Sequence, residues 1–141
     1  MAKQIISVIL FMVFVFLSAL HFYWALGGRW GSKAVYPTTN KNAEPKMPGI
    51  IPTTIVAFGL LAIGGFILQQ TFFLNFQIPL WLNNYGLWTI ASIFMLRAIG
   101  EFKYIGFFKK MKHSKFAQND TKYYSPLCLV IAILILIIKI F

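Results

Sequence analysis

Four apolar stretches alternate with polar, proline-bearing segments along this chain. The first, Ile5–Leu26, is about 22 residues long, or about 33 Å as a helix, which is enough to cross the ~30 Å hydrocarbon core of a bilayer. Gly27-Gly28-Arg29-Trp30-Gly31 breaks it, and a loop carrying Pro37, Pro45 and Pro48 runs on to about Gly49. The second stretch, about 50–69, holds Pro52 in its first turn, where a missing N–H does no harm. Its Gly59, Gly64 and Gly65 would let a neighbouring helix come close. The connection 71–84 is uncharged and rich in Phe72, Phe73, Phe76 and Trp81, which suits headgroup depth. The third stretch is about 85–99, with a start nearer Pro79 as the alternative. A basic segment, 101–123, leads to the fourth, about 125–141, whose Ser125-Pro126 opening reads as an N-cap and N1 pair. The pattern predicts an all-α, polytopic membrane protein, a single domain over 1–141 built as a bundle of four transmembrane helices.

Composition strengthens that reading. The chain is 59% hydrophobic and 11% charged, with 15 Phe, whereas a soluble domain is roughly half apolar and a quarter charged. The apolar run after Met-Ala-Lys imitates a signal peptide. It is too long for a signal h-region and lacks a small-x-small cleavage site, so it is expected to stay as a span. The net charge of +10 comes from residues between the apolar stretches, which places them against anionic lipid headgroups and excludes nucleic acid as the expected partner. Arg29, Lys33, Lys41, Lys46, Arg97, Lys103, Lys109, Lys110, Lys112, Lys115 and Lys122 fall on one side of a four-span topology, with only Lys3 and Lys139 on the other. The positive-inside rule then puts loops 27–49 and 100–123 in the cytoplasm and both termini outside. Cys128 is the single cysteine, so there is no internal disulfide and no CxxC site.

The side chains capable of chemistry collect at the cytoplasmic end. His21 lies about 24 Å along the first helix from Ile5, on a stripe with Ser7, Phe14, Ser18, Ala25 and Gly28 that should face the other helices. It is either a packing hydrogen bond between helices or a proton-transfer or ligand group. Arg97 and Glu101 stand i, i+4 on the third helix and can pair. An arginine at that depth costs ~2.5–3.5 kcal/mol without a partner, so Arg97 is expected to bind Glu101 or, failing that, Asp120. The pair is either a clamp between helices or an anion-binding arginine with a carboxylate beside it. Trp24, Tyr124 and other aromatics nearby form an interface belt, or else a cage for an organic cation. Cys128 reads as packing. Lys109-Lys110-x-Lys112-x-x-Lys115 after Gly106-Phe107-Phe108 reads as a lipid-facing amphipathic segment. No phosphate-binding glycine loop, HExxH or nucleophile elbow is present, and neither metal nor cofactor is implied. The spans are too few for a secondary transporter made of two large repeats.

Three segments carry a resemblance: His21-Phe-Tyr-Trp-Ala-Leu-Gly-Gly28, Arg97-Ala-Ile-Gly-Glu-Phe-Lys-Tyr-Ile-Gly-Phe-Phe108 and Phe116-Ala-Gln-Asn-Asp-Thr-Lys-Tyr-Tyr-Ser-Pro-Leu-Cys128. Together, over essentially the whole chain, they resemble an uncharacterised bacterial family, domain of unknown function 3995, of small proteins with four membrane helices. In that family the third helix often ends in Arg-x-x-Gly-Asp, so Glu101 here is a conservative departure. The resemblance implies fold and location, the bacterial inner membrane, and supplies no activity. It falls on His21, Trp24, Arg97, Glu101, Asp120 and Tyr124, the same residues that the cost of burying polar groups in lipid selects. Three functions stay open on this reading. One is a protein binding a small polar or amphiphilic ligand, such as a lipid headgroup, in a cytoplasm-facing pocket. Another is an intramembrane enzyme using His21 with Glu101 or Asp120 as acid and base on a lipid-like substrate. The last is a structural, partner-subunit or immunity-type protein, acting as an oligomer or on a membrane partner protein.

Overall fold

The computed structural model describes residues 1–32, 46–72, 76–100, 106, 108–110 and 115–141, and among these every regular element is helical. Helix α1 is Ala2–Ala25, α2 Ile50–Phe72 and α3 Leu80–Ile99. Helix α4, Lys115–Asn119, passes into a π-helical turn, Asp120–Tyr124, and then into α5, Ser125–Ile140, without a break. Three helical runs are long and apolar enough to cross a membrane: α1 with 24 residues, α2 with 23, and Phe116–Ile140 with 25. Helix α3, at 20 residues, reaches about 30 Å, but Asn83, Asn84 and Arg97 dilute its apolar character and it is not one of the three. It takes the earlier of the two expected starts. The Pro79 carbonyl accepts the N–H groups of Leu82 and Asn83 at 3.0 and 3.1 Å and so begins the helical ladder.

The chain divides into two compact units, Met1–Gly28 with Pro48–Ala91 and Ile133–Phe141, and Arg29–Met47 with Ser92–Ala132. In the first, α1 buries Ser7, Leu10, Phe14 and Ser18, and α2 buries Thr53, Ala57, Gly64, Ile67 and Thr71. Both sets recur at three- and four-residue spacing, one stripe per helix. The α1 stripe contains most of the small and polar positions anticipated from sequence, with His21 half-buried at its edge. Hydroxyls stitch the two helices together. Ser18 Oγ donates to the Ala57 carbonyl at 2.7 Å, Thr71 Oγ1 to Ser7 Oγ at 2.7 Å, and Ser7 Oγ to the Gln4 carbonyl at 2.8 Å. In lipid, which offers a hydroxyl no partner, such bonds fix one helix against another. Outward faces carry Ile9, Met12, Phe16, Ile55, Phe58 and Ile93, the inverse of a water-facing surface.

The last helix corrects the sequence reading at its start. Ser125 is not an N-cap: it sits inside the helix at φ −67°, ψ −43°, and its N–H reaches the Asp120 carbonyl five residues back. Within the second unit Phe116, Ala117, Asp120, Ser125, Ile131 and Ala132 are buried, while Gln118, Thr121 and Lys122 are exposed. An unbroken α-helix counted back from Ser125 would bury Thr121 or Lys122 and Gln118. The π turn inserts one extra residue and shifts the buried stripe onto Asp120, Ala117 and Phe116. It also precedes Pro126, whose missing N–H and bulky ring disturb a helical ladder, so the disturbance falls where that ladder has already changed.

Gly64 marks a close approach of α1 to α2 in the first unit. A Cβ there would come within 3.1 Å of Phe11 Cδ2 and 3.2 Å of Phe14 Cβ, whereas one on Gly65 would meet nothing within 4 Å. Gly64→Leu is therefore expected to destabilise the protein by about 1–3 kcal/mol through overpacking, and Gly65→Leu to be close to neutral. Thermal unfolding of both variants in one detergent measures the difference; equal melting temperatures would contradict the packing described.

Candidate functional site

Asp120 is completely buried, and the second unit is organised around its carboxylate. Oδ1 accepts Arg97 Nη2 at 3.0 Å. Oδ2 accepts the backbone N–H of Gly106 at 2.7 Å and Lys109 Nζ at 3.0 Å. Lys109, itself 2% exposed, also donates to the Gly106 carbonyl at 2.9 Å and to Thr121 Oγ1, so all three of its N–H bonds are used. A buried charge is tolerable only when it is paired and hydrogen-bonded. Here the last turn of α3, the 106–110 segment and the π turn each contribute.

Gly106 makes this geometry reachable. Its φ is +91°, and a Cβ would lie 2.3 Å from the Ile99 carbonyl oxygen and 2.5 Å from Gly100 Cα, so both conformation and space require glycine. Pressed against the end of α3, it offers its N–H to Asp120 and its carbonyl to Lys109. Lys109, read from sequence as part of a lipid-facing basic segment, turns inward instead, while Lys110 is exposed and Lys112 lies outside the described residues.

Among the described residues, two buried side-chain polar atoms have no hydrogen-bond partner, Arg97 Nη1 and Ser125 Oγ. Ser125 shares the buried face with Asp120, one π turn along. The Arg97 side chain is 31% exposed overall, while its Nη1 is closed off. An unsatisfied buried donor costs about 1–3 kcal/mol, and a native fold retains one where something else fills the gap. Tyr124, half-buried, lies against Phe116 with ring centroids 5.9 Å apart.

Of the residues anticipated from sequence, Arg97, Asp120 and Tyr124 fall in this unit, with Arg97 on Asp120. Glu101, the first expected partner of Arg97, lies outside the described residues. His21 and Trp24 belong to the first unit. His21 Nδ1 donates to the Leu17 carbonyl at 2.7 Å, and the ring meets Trp24 edge-on at 5.3 Å and 70°. A carbonyl can only accept, so the N–H is on Nδ1 and Nε2 keeps its lone pair when the ring is neutral. Both Asp120 oxygens already accept hydrogen bonds and are shut off from solvent, which leaves this carboxylate in no position to take a substrate proton. Among the described residues no three His, Cys, Asp or Glu side chains group as metal ligands. A groove of about 290 Å³ in the first unit, lined by Phe66, Trp81, Tyr85 and Ile90 among others, is mostly apolar.

Lys109, Gly106 and Ser125 were not selected from sequence. A lysine in a lysine run looks solvated, and Ser125 looked like a cap. The one available signal was arithmetic: a chain with so few acidic residues that buries one must bury cations with it. Removing the carboxylate strands two of them, so Asp120→Ala is expected to cost about 3–5 kcal/mol. Lys109→Met, which keeps the volume and leaves Asp120 with Arg97 and the Gly106 N–H, should cost clearly less. Melting of both variants against wild type checks the order; the reverse order would mean that Asp120 is not the hub.

Comparison with known proteins adds one finding. No curated protein and no solved structure matches the chain. A family model described as Protein of unknown function (DUF3995) matches residues 14–135, which takes in both units, the π turn and every described residue around Asp120, and the chain belongs to that family.

Proposed function

We propose that this is a four-span protein of the bacterial cytoplasmic membrane that holds a small polar or amphiphilic ligand at a cytoplasm-facing site centred on Arg97 and Asp120. The observation that carries the ligand is that two buried polar atoms of this unit, Arg97 Nη1 and Ser125 Oγ, have no hydrogen-bond partner, while the contacts of the Asp120 carboxylate are complete. A purely structural ion pair needs neither. Helix α3 is the fourth span. Its Asn83 and Asn84 lie near the outer end, with Asn83 accepting a hydrogen bond from Gln70 at 2.8 Å, and Arg97 near the inner end is neutralised by Asp120. These contacts reduce the cost of an otherwise marginal span.

A second reading, an ion-pair clamp without a ligand, is favoured by the complete satisfaction of Asp120. Native mass spectrometry of protein extracted gently from membranes separates the two. The ligand reading expects a bound species on wild type that is reduced or lost in Arg97→Lys, which keeps a charge for Asp120 but gives up the second guanidinium arm. Bare protein in both samples would leave only the clamp.

Orientation has its own test. With eleven basic residues on one side, the 100–123 loop is expected in the cytoplasm. In a Cys128→Ala background, a cysteine replacing Lys115 should resist an impermeant thiol reagent added to intact cells and react after lysis. Labelling from outside would reverse the topology.

A further inference from the structure

We propose that the exposed surface formed by Phe108, Lys110, Lys122 and Tyr123 docks anionic phospholipid headgroups, and that the buried ion pair beneath it holds that surface in shape. It goes beyond the ligand reading above and uses neither of the two unpartnered atoms invoked there. The surface follows from the pattern of burial. Lys109 is buried, while Phe108 and Lys110 on either side of it are exposed. In the π turn Asp120 is buried, while Thr121, Lys122 and Tyr123 after it are exposed. Lys109 Nζ bonds Asp120 Oδ2 at 3.0 Å and also Thr121 Oγ1. Lys110 is the chain neighbour of one end of that contact and Lys122 of the other. The interior bond thus draws two lysines and two aromatic rings from separate segments of one compact unit to the same place on its outside.

Charge complementarity names the occupant. Segment 101–123 carries six lysines against two acids, Glu101 and Asp120, an excess of four positive charges. Asp120 is already engaged by Arg97 and Lys109 in the interior, so it does not neutralise the exposed lysines. Depth makes that occupant a lipid. Within the run Phe116–Ile140, Lys122 stands about 27 Å from Ile140 at helical rise, against a hydrocarbon core of ~30 Å. With Ile140 at the far edge of the core, Lys122 lies close to the near edge, and its aliphatic stem carries the ammonium out to the headgroups. Lys122 over the Tyr123 ring, 5.2 Å from its centroid, with exposed Phe108, is the mixture of cation and aromatic that a membrane boundary favours.

The test compares wild type with Lys110→Gln/Lys122→Gln and with Lys3→Gln/Lys139→Gln, a control that removes the same charge elsewhere. Each protein, purified in a neutral maltoside detergent, is titrated with dioleoyl phosphatidylglycerol or dioleoyl phosphatidylcholine in mixed micelles at fixed ionic strength, reading thermal stabilisation. Wild type and the control should be stabilised by phosphatidylglycerol in preference to phosphatidylcholine. The Lys110→Gln/Lys122→Gln protein should need about thirtyfold more phosphatidylglycerol, the effect of two lysines near an anionic surface. Lys110→Arg/Lys122→Arg, which keeps both charges, should respond as wild type does. An equal loss in the Lys3→Gln/Lys139→Gln control would be general attraction to a basic protein and overturns the proposal. A wild type that responds alike to both lipids overturns it as well. Arg97, Asp120 and Ser125 are intact in every sample, so neither failure bears on the ligand reading.

Discussion

A carboxylate out of reach of water holds the second unit together. Asp120 joins three segments distant in sequence, the end of α3 through Arg97, the turn at Gly106 and Lys109, and the π turn on which it resides. Each contact is conditional on the others. Without Lys109 and the Gly106 amide, a fully buried anion would lack most of its solvation; without the anion, two cations would be stranded beside it. Interactions of this type contribute less net stability than their Coulombic strength suggests, because desolvation offsets much of the gain. They are, however, unforgiving of alternatives. That is why Gly106 and Lys109 take up a defined place against the end of α3.

The first unit solves a related problem with neutral groups. Lipid is as apolar as the side chains of α1 and α2, so burying Phe14 or Ile67 does not by itself choose a partner helix. The choice comes from close approach at Gly64 and from hydroxyls that have nowhere else to go: Ser18 on the Ala57 carbonyl and Thr71 on Ser7. Neutral hydroxyls set the packing in one unit and ions do so in the other.

Much of this was legible in the sequence because a bilayer penalises polar atoms so heavily. The stripe through Ser7, Phe14 and Ser18 follows from helical spacing alone, and the need of Arg97 for a carboxylate follows from its depth. Asp120 was legible only as the second of two candidate partners, because Glu101, which lies outside the described residues, satisfies the local i, i+4 rule. Lys109 was hidden by its neighbours, since hydropathy cannot distinguish a buried lysine from an exposed one such as Lys110. The π turn was hidden for a geometric reason. Ser125-Pro126 is good N-cap chemistry read locally, and only the burial of Asp120 and Ser125 on one face reveals the five-residue step between them.

That extra residue links architecture to chemistry. A π insertion widens the backbone and weakens its hydrogen-bond geometry, so a helix tends to keep one where it places a needed side chain. Here the rephasing has two effects at once. It brings Asp120 inward onto Arg97 and Lys109, and it leaves Ser125 buried on the same face with its hydroxyl unanswered. On a regular α-helix two residues five apart fall about 140° from each other, so without the π turn Asp120 and Ser125 would not share that face.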